Sequence, residues 1–480
     1  MLRTKLIGLL RQLDKKEMNR LGHFLESPFF FGGRREQKLI DFYQYLRRFH
    51  PHFENKKLTK EKAYARLFPD RPYNENQLQQ LMTKFNKVLE RFIVEIYQSQ
   101  TFGFPSPSHG LAAFYREKNM ITAFEKWHRQ AIHRQAQTVR KDPYHYWIDF
   151  LLAKELTEVQ SLYNIRKSDL NLPATLSRLD YFFLAVKLEA ACVWLNQHKH
   201  QVAIAADGAL ETLDALMPLL DAGYFREEPL IELFYRAYHL LQEEATAADF
   251  DALQRVYDER AMEIGFNQRQ IIHGVLRIFC TSRYNAGESE YLAPLFNLYQ
   301  VGLEQGVLTY GEGLLPATFQ TIVTLGLKSD QLDWVEAFLE KYRHRLVRTE
   351  DTGSIYTLKR ANLLFARGHY EAAQACLTYE FADIYLKLVA RRLEVQIYYE
   401  LESDLLDAKI QAFKVFIFRV SRSRLPDLQR EGYNNFIDLL KQIIHPSTRY
   451  NDGRRTMLLD KIRGKKTVAE RQWLLAKLRD

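Results

Sequence analysis

Residues Ala361 to Leu377, ANLLFARGHYEAAQACL, predict the fold more directly than any other stretch of the chain. One apolar helical pattern ends at Gly368, and a second begins at Tyr370. Glycine can end the first helix at a positive φ, and the Tyr370 ring is large enough to fill the gap between the helices. Ala373 is small enough to let the two backbones approach closely. The stretch therefore predicts two packed helices joined by a tight turn.

This arrangement resembles a tetratricopeptide-repeat hairpin. The first helix has Ala361 where that repeat family usually places Gly. Downstream, residues 389–418 read as a further helix pair, but Glu402 and Ser403 replace the Gly of the turn. The resemblance therefore implies divergent repeats. The plan of the whole chain is also similar to that of bacterial helical proteins, a likeness that brings no function with it.

The repeat resemblance also implies a binding surface. If the alignment around Gly368 holds, Leu358, Asn362 and Phe365 face the inner, concave side of the hairpin, which is the usual ligand surface of the family. Asn362 is then the clearest candidate contact for a protein or peptide partner. The alternative, that Phe365 simply packs against the next repeat, stays open.

Length and composition favour a stack of helices over one compact core. The chain has 480 residues, more than a single core usually accommodates, and 46% of them are hydrophobic. We expect an all-α protein with a basic helical bundle at 1–100, a linker at 101–110, tetratricopeptide-like repeats forming an α-solenoid at 111–445, and a basic tail with a capping helix at 446–480. The linker sequence, TFGFPSPSHG, contains two prolines and two glycines that break regular patterns.

The bundle carries clear helix signals. Asp14 with Glu17 predicts a capping box, Thr59 begins a short helix, and Asn74 with Gln77 starts a long one. The long helix has an apolar stripe at intervals of three and four residues, formed by Leu78, Leu81, Met82, Phe85, Leu89, Phe92, Ile93 and Ile96.

Further helical stretches follow the linker. We expect them at 111–140, 144–165, 173–197, 201–220, 227–244, 247–264, 268–284, 289–305, 315–327 and 331–345. In the tail, Thr467 with Glu470 predicts a capping box for a final helix. That helix should dock through Val468, Leu474, Leu475 and Leu478, while the pattern leaves the environment of Trp473 open.

The charge is unevenly spread along the chain. The formal net charge is +9; residues 1–100 carry +9, residues 441–480 carry +7, and residues 181–260 carry −8. Basic ends of this kind could attract nucleic acid or an acidic protein, and a solvated surface without a partner is the favoured alternative. The candidate phosphate contacts are Arg34, Arg35, Lys56, Lys57, Arg419, Arg422, Arg424, Lys465 and Lys466. The three arginines have an alternative role as helix-terminal cations.

The sequence lacks the common catalytic signatures. It has no G-x-x-x-x-G-K-[ST] loop, no G-x-S-x-G elbow and no H-E-x-x-H pair, so we assign no catalytic residue, cofactor or metal. Three scattered cysteines and the lack of an apolar run of about 20 residues predict a cytoplasmic protein without membrane insertion. A non-catalytic scaffold or adaptor is the leading expectation, and a nucleic-acid-associated protein is the alternative. An enzyme comes third.

Overall fold

The computed structural model describes residues 4–27, 36–53, 58–101, 109–163, 171–198, 208, 210–347, 349, 351–449 and 451–479. Across these residues the regular structure is helical, apart from two isolated bridges that pair Tyr310 with Gly313 and Leu314 with Leu346. The fold is all-α, as the sequence predicted. None of the helices in the described ranges is long and apolar enough to cross a membrane.

The first helices enclose a core of their own. They are α1 (Lys5–Gln12), α2 (Lys15–Glu26), α3 (Gln37–Arg47), α4 (Lys60–Leu67) and α5 (Glu75–Thr101). Their shared core runs from Leu6 to Ile96. The predicted stripe of α5 lies in this core, with Leu81 and Ile93 partly buried at its edge. We call this part of the chain the head.

Side-chain caps begin the helices of the head where the sequence predicted them. The Asp14 carboxylate accepts a hydrogen bond from the backbone N–H of Glu17 at 2.7 Å. The Glu17 carboxylate accepts one from the backbone N–H of Asp14, also at 2.7 Å, which completes a capping box. The Thr59 hydroxyl accepts from the N–H of Lys62, and Asn74 caps α5 in the same way.

The stretch predicted as one helix over 111–140 consists of two helices. α6 (His109–Glu117) ends at a turn in which Asn119 has a φ of 55°, and α7 (Ile121–Ala136) follows. The prediction was wrong because asparagine tolerates this left-handed conformation and can end a helix without glycine. α8 (Pro143–Tyr163) and α9 (Leu172–His198) come next.

The chain divides into two compact units, Met1–Val186 and Lys187–Asp480. This division falls inside α9 and differs from the boundary predicted at 101–110, most of which lies outside the described residues. Within the first unit, the head core and a second core around Phe124, Trp127 and Leu152 remain separate.

The second unit consists of consecutive helix pairs. Its helices up to residue 419 are α10 (Glu211–Asp221), α11 (Pro229–Leu240), α12 (Ala247–Arg260), α13 (Phe266–Ala286), α14 (Leu292–Glu304), α15 (Pro316–Lys328), α16 (Leu332–Tyr342), α17 (Thr352–Ala366), α18 (Tyr370–Cys376), α19 (Ile384–Glu400) and α20 (Leu406–Arg419). Each pair from α11/α12 onward contacts the next, and α15, α17 and α19 pack side by side in order.

Four of these pairs close with the same turn. Gly287, Asp330, Gly368 and Glu402 all have positive φ values, between 48° and 104°. After each of them, the next backbone N–H reaches a carbonyl five residues back; His369 reaches Leu364 at 2.9 Å in this way. This is the Schellman pattern, which satisfies carbonyls left open at a helix end. Glu402 thus takes the conformation of the glycine that it replaces.

The C-terminal helices form the last core of the second unit. They are α21 (Asp427–Ile444), α22 (Pro446–Arg449), α23 (Asp452–Gly464) and α24 (Arg471–Arg479). α24 docks as predicted, because Leu474, Leu475 and Leu478 are buried. Trp473 is half-buried, and its indole N–H donates to Glu400 at 2.7 Å.

The capping box predicted at Thr467 and Glu470 does not form. α24 begins at Arg471, and Glu470 precedes it with a φ of 52°, a conformation in which it cannot serve as the third residue of a helix. The carbonyl of Thr467 instead accepts a hydrogen bond from the Asn435 amide at 2.7 Å. Packing of residues 465–470 against α21 overrides the local capping signal.

Candidate functional site

A pocket of about 620 Å³ opens between α15, α17, α19, α21 and the turn before α24. Each helix contributes one face to it. In α17, Lys359, Asn362 and Phe365 are three residues apart, and in α19, Arg392 and Gln396 are four apart. Residues at these spacings lie on the same side of a helix. The side-by-side packing of α15, α17 and α19 therefore brings these faces to one cavity.

Lys359 is a buried cation in the wall of this pocket. Its residue is only 9% exposed, and its ammonium group donates to the Thr324 hydroxyl at 3.2 Å. Burial, and then the nearby charge of Arg392, lower the pKa of Lys359 from 10.5 to about 8. An ammonium group in such a place has lost much of its hydration. A negatively charged ligand would provide the electrostatic stabilisation that the lost hydration no longer gives to the ammonium group.

Arg392 is the second buried cation, with 8% of its surface exposed. Its guanidinium forms an ion pair with Glu470, the residue held at positive φ before α24. Tyr433 lies beside it, and burial raises the pKa of that phenol above its ordinary value of 10. Glu470 therefore gives Arg392 a carboxylate partner from the chain itself, while burial lowers the pKa of Arg392 from 12.5 to about 10.

The turn that presents Glu470 is fixed by hydrogen bonds. The N–H of Ala469 donates to the carbonyl of Gly432 at 3.1 Å, and the guanidinium of Arg471 donates to the carbonyls of Arg463 and Lys466. Strained backbone conformations persist where surrounding contacts hold them, and they often occur at binding sites. This turn is thus a preformed wall of the pocket.

The pocket is positively charged overall. Among its described lining residues, Lys328, Lys359 and Arg392 are basic, and Glu470 is the one acidic residue. The side-chain amide of Gln396 lies among these groups and is 2% exposed. Basic groups in a partly enclosed cavity act through a lower dielectric constant than groups on an open surface. The arrangement is therefore suited to bind an anion.

The structure places the three predicted partner contacts differently. Asn362 and Phe365 line the pocket, with the Asn362 amide donating to the carbonyl of Leu358 at 2.9 Å. Phe365 also packs against Tyr370, with 5.5 Å between ring centroids. Leu358 is 1% exposed and lies in the interior, so it is not available to a partner. The position of Leu358 in α17 directs its side chain toward the neighbouring helices and away from the pocket.

The predicted phosphate contacts do not come together in one described site. Arg34, Arg35, Lys56 and Lys57 lie outside the described residues. Of the tail lysines, Lys466 is exposed, whereas Lys465 donates to the Asn435 side chain at 2.8 Å. Lys465 thus has a contact inside the fold.

Arg419, Arg422 and Arg424 are exposed around the turn between α20 and α21. Arg422 lies 3.7 Å from Asp427. The carbonyls of this turn are bound by Arg430, which donates to Ile417, to Val420 at 2.6 Å and to Leu425 at 3.5 Å. Sequence reasoning did not single out Arg430, because the fold of the turn decides which arginine reaches its carbonyls.

Sequence reasoning also missed Lys359, Arg392, Gln396 and Glu470. One signal was present, since Lys359 lies three residues before Asn362 on the helix face that the repeat resemblance selected. No local pattern reveals that a lysine is buried, because burial depends on the helices packed around it.

Comparison with known proteins found no family model, no curated protein and no solved structure that matches the chain.

Proposed function

We propose that the chain is a non-catalytic scaffold or adaptor that binds a segment of a partner protein through divergent tetratricopeptide-like hairpins. The observation that supports this function is the pocket formed by one face each of α15, α17, α19 and α21. Each of these successive helices contributes a short strip of polar and aromatic side chains. Such a series of strips suits an extended ligand, because consecutive residues of the ligand can contact consecutive helices.

The dimensions and lining of the pocket agree with such a ligand. Its volume of about 620 Å³ accommodates a few side chains. Phe365 and Tyr385 offer apolar contact, and Asn362 and Gln396 offer hydrogen bonds that would fix the direction of the bound chain. The helices are already packed around the cavity, so little ordering of the protein opposes binding.

A capture experiment with a blocked pocket tests this function. Tagged protein is immobilised and exposed to extract of its own cells, with and without nuclease and at two salt concentrations. The Asn362→Trp variant places an indole in the pocket, and the Ala372→Trp variant places the same ring on the exposed surface of α18. We expect wild type and A372W to retain a discrete protein that N362W loses, whether or not nuclease is present.

Two outcomes would contradict the proposal. If N362W retains the same protein as wild type, the pocket is not the binding surface. If the retained material is nucleic acid that leaves steeply as salt increases, phosphate neutralisation becomes the working mechanism, and the nucleic-acid alternative replaces the scaffold. Circular dichroism of both tryptophan variants verifies that their helices are intact.

A further inference from the structure

We propose that the pocket contains an oxyanion subsite, in which Lys359 binds a carboxylate or phosphate group of the ligand. The identity of the carrier, a partner segment, rests on the proposed function above. The subsite itself does not, since it follows from how Lys359 is buried and which groups surround it.

Lysines of the same unit differ in how their charges are paired. Lys409 and Lys477 are less buried than Lys359, yet each forms an ion pair with a glutamate, at 2.7 Å and 2.8 Å respectively. Within the described residues, Lys359 has no carboxylate at ion-pair distance, and its ammonium group donates only to the Thr324 hydroxyl. Buried lysines are nearly always paired. The missing partner of Lys359 is therefore an anion that enters the pocket.

The fold leaves a set of hydrogen-bond donors available at the pocket. An ammonium group has three N–H donors, and Thr324 accepts one of those of Lys359. The Gln396 amide makes no hydrogen bond to any other described residue, although that residue is 2% exposed. Asn362 uses one of its two amide hydrogens on its own helix. These donors border the same cavity, and an oxyanion accepts several hydrogen bonds at once.

The charged groups that face Lys359 are mostly basic. Lys328 of α15 and Arg392 of α19 are basic, Tyr433 of α21 is a neutral phenol, and Glu470 before α24 is the one carboxylate among the described lining residues. Glu470 pairs with Arg392, so the charge of Lys359 remains uncompensated. The lowered pKa of Lys359 agrees with this lack of compensation, and a bound anion would raise it again.

Chemical modification of amines measures the subsite directly. The full-length protein is treated with acetic anhydride over a range of pH values, and the rate at each lysine is followed by mass spectrometry. The probes are sodium phosphate and N-acetylglutamate, with sodium chloride at equal ionic strength as the control. We expect either oxyanion, but not chloride, to slow the modification of Lys359 about tenfold at ten times its dissociation constant, since about a tenth of the sites are then free.

Lys409 serves as the internal control, because it is paired with Glu394 outside the pocket. Its rate should be the same with each salt. The relative effects of phosphate and N-acetylglutamate distinguish the two sources of the oxyanion. If neither slows the modification of Lys359 beyond the effect of chloride, the subsite does not exist.

The melting temperatures of variants provide a second test that does not depend on chemical modification of the amine. Phosphate should raise the melting temperature of wild type and of Lys414→Met, which removes an exposed lysine of α20, but not that of Lys359→Met. Glu470→Gln removes the carboxylate that competes for the cations, so it should increase the shift. An equal phosphate shift in K359M and K414M would overturn the proposal, as would a smaller shift in E470Q than in wild type.

The subsite and the proposed function can fail separately. Loss of phosphate and N-acetylglutamate binding with pocket-dependent capture intact would leave a partner segment that binds without an anionic group. Anion binding at Lys359 without pocket-dependent capture would leave a site for a free anion, and the scaffold proposal would then be wrong.

Discussion

The face that α5 turns inward in the head and the pocket face of α17 illustrate two uses of an amphipathic helix. The inner face of α5 is apolar along its length, and Phe85 and Leu89 on it are fully buried. On α17, by contrast, Lys359 is buried only three residues before Asn362. The first face maximises apolar burial, whereas the second holds a charge away from water at a cost in stability. The first face serves packing, and the second carries the residues of the proposed ligand site.

The largest expected effect concerns the apolar face. Phe85→Ala in α5 removes a fully buried ring that contacts Phe42 edge-on, with 5.6 Å between centroids. We expect the head to lose about 3–5 kcal/mol, because core Phe→Ala substitutions leave a cavity as well as losing apolar burial. Hydrogen exchange of the α5 amides measures this loss. Val94→Ala on the same helix, where the side chain is exposed, should change stability by less than about 0.5 kcal/mol. Equal effects of the two variants would contradict the core assignment.

Replacing the buried cation Lys359 should raise the stability of the protein, the opposite of the effect of Phe85→Ala. Lys359→Met keeps an apolar side chain of similar length and removes the charge, so we expect the ligand-free protein to become more stable by up to about 3.5 kcal/mol. This limit follows from a pKa lowered from 10.5 to about 8, at about 1.4 kcal/mol for each pKa unit. Denaturant unfolding at pH 7 measures the change. Lys414→Met is the control and should have almost no effect. A destabilised K359M would show that the ammonium group has a partner inside the fold.

The stability difference between K359M and wild type should depend on pH. The pKa of Lys359 is lower in the folded chain than in the unfolded chain, so the penalty is fully present below pH 8. Between pH 8 and about 10.5 the unfolded chain binds more protons, and wild type gains stability relative to the variant. We expect the difference to shrink by about 2 kcal/mol from pH 8 to pH 9.5, as measured by denaturant unfolding at each pH. A constant difference would contradict the lowered pKa.

The smallest expected effects concern the turns beside the pocket helices. Gly368→Ala puts a side chain at a φ of 76°, which should cost about 1 kcal/mol, whereas Glu402→Gly relieves the same strain at a φ of 48° and should gain up to about 1 kcal/mol. Thermal unfolding of the two variants, compared with wild type, measures both changes. The idea of a shared turn fails if the two substitutions change the melting temperature in the same direction.

The success of the sequence predictions differed between local and long-range features. The capping box at Asp14, the stripe of α5 and the turn at Gly368 formed as predicted, because each depends on residues close together in the chain. The break at Asn119 and the start of α24 were missed. In the second case, hydrogen bonds from a distant helix outweighed a local capping signal at Thr467.

The sequence by itself determined an all-α chain, most of its helices in the described residues and the helix face that carries Asn362 and Phe365. The periodicity of apolar residues and the identity of turn residues depend on a few neighbouring positions, so the sequence alone reveals them. Tertiary structure alone decided that Leu358 is buried, that Lys359 has no carboxylate partner among the described residues and that Arg392 pairs with Glu470. Burial and ion pairing depend on which distant helices meet, and no local pattern encodes that meeting.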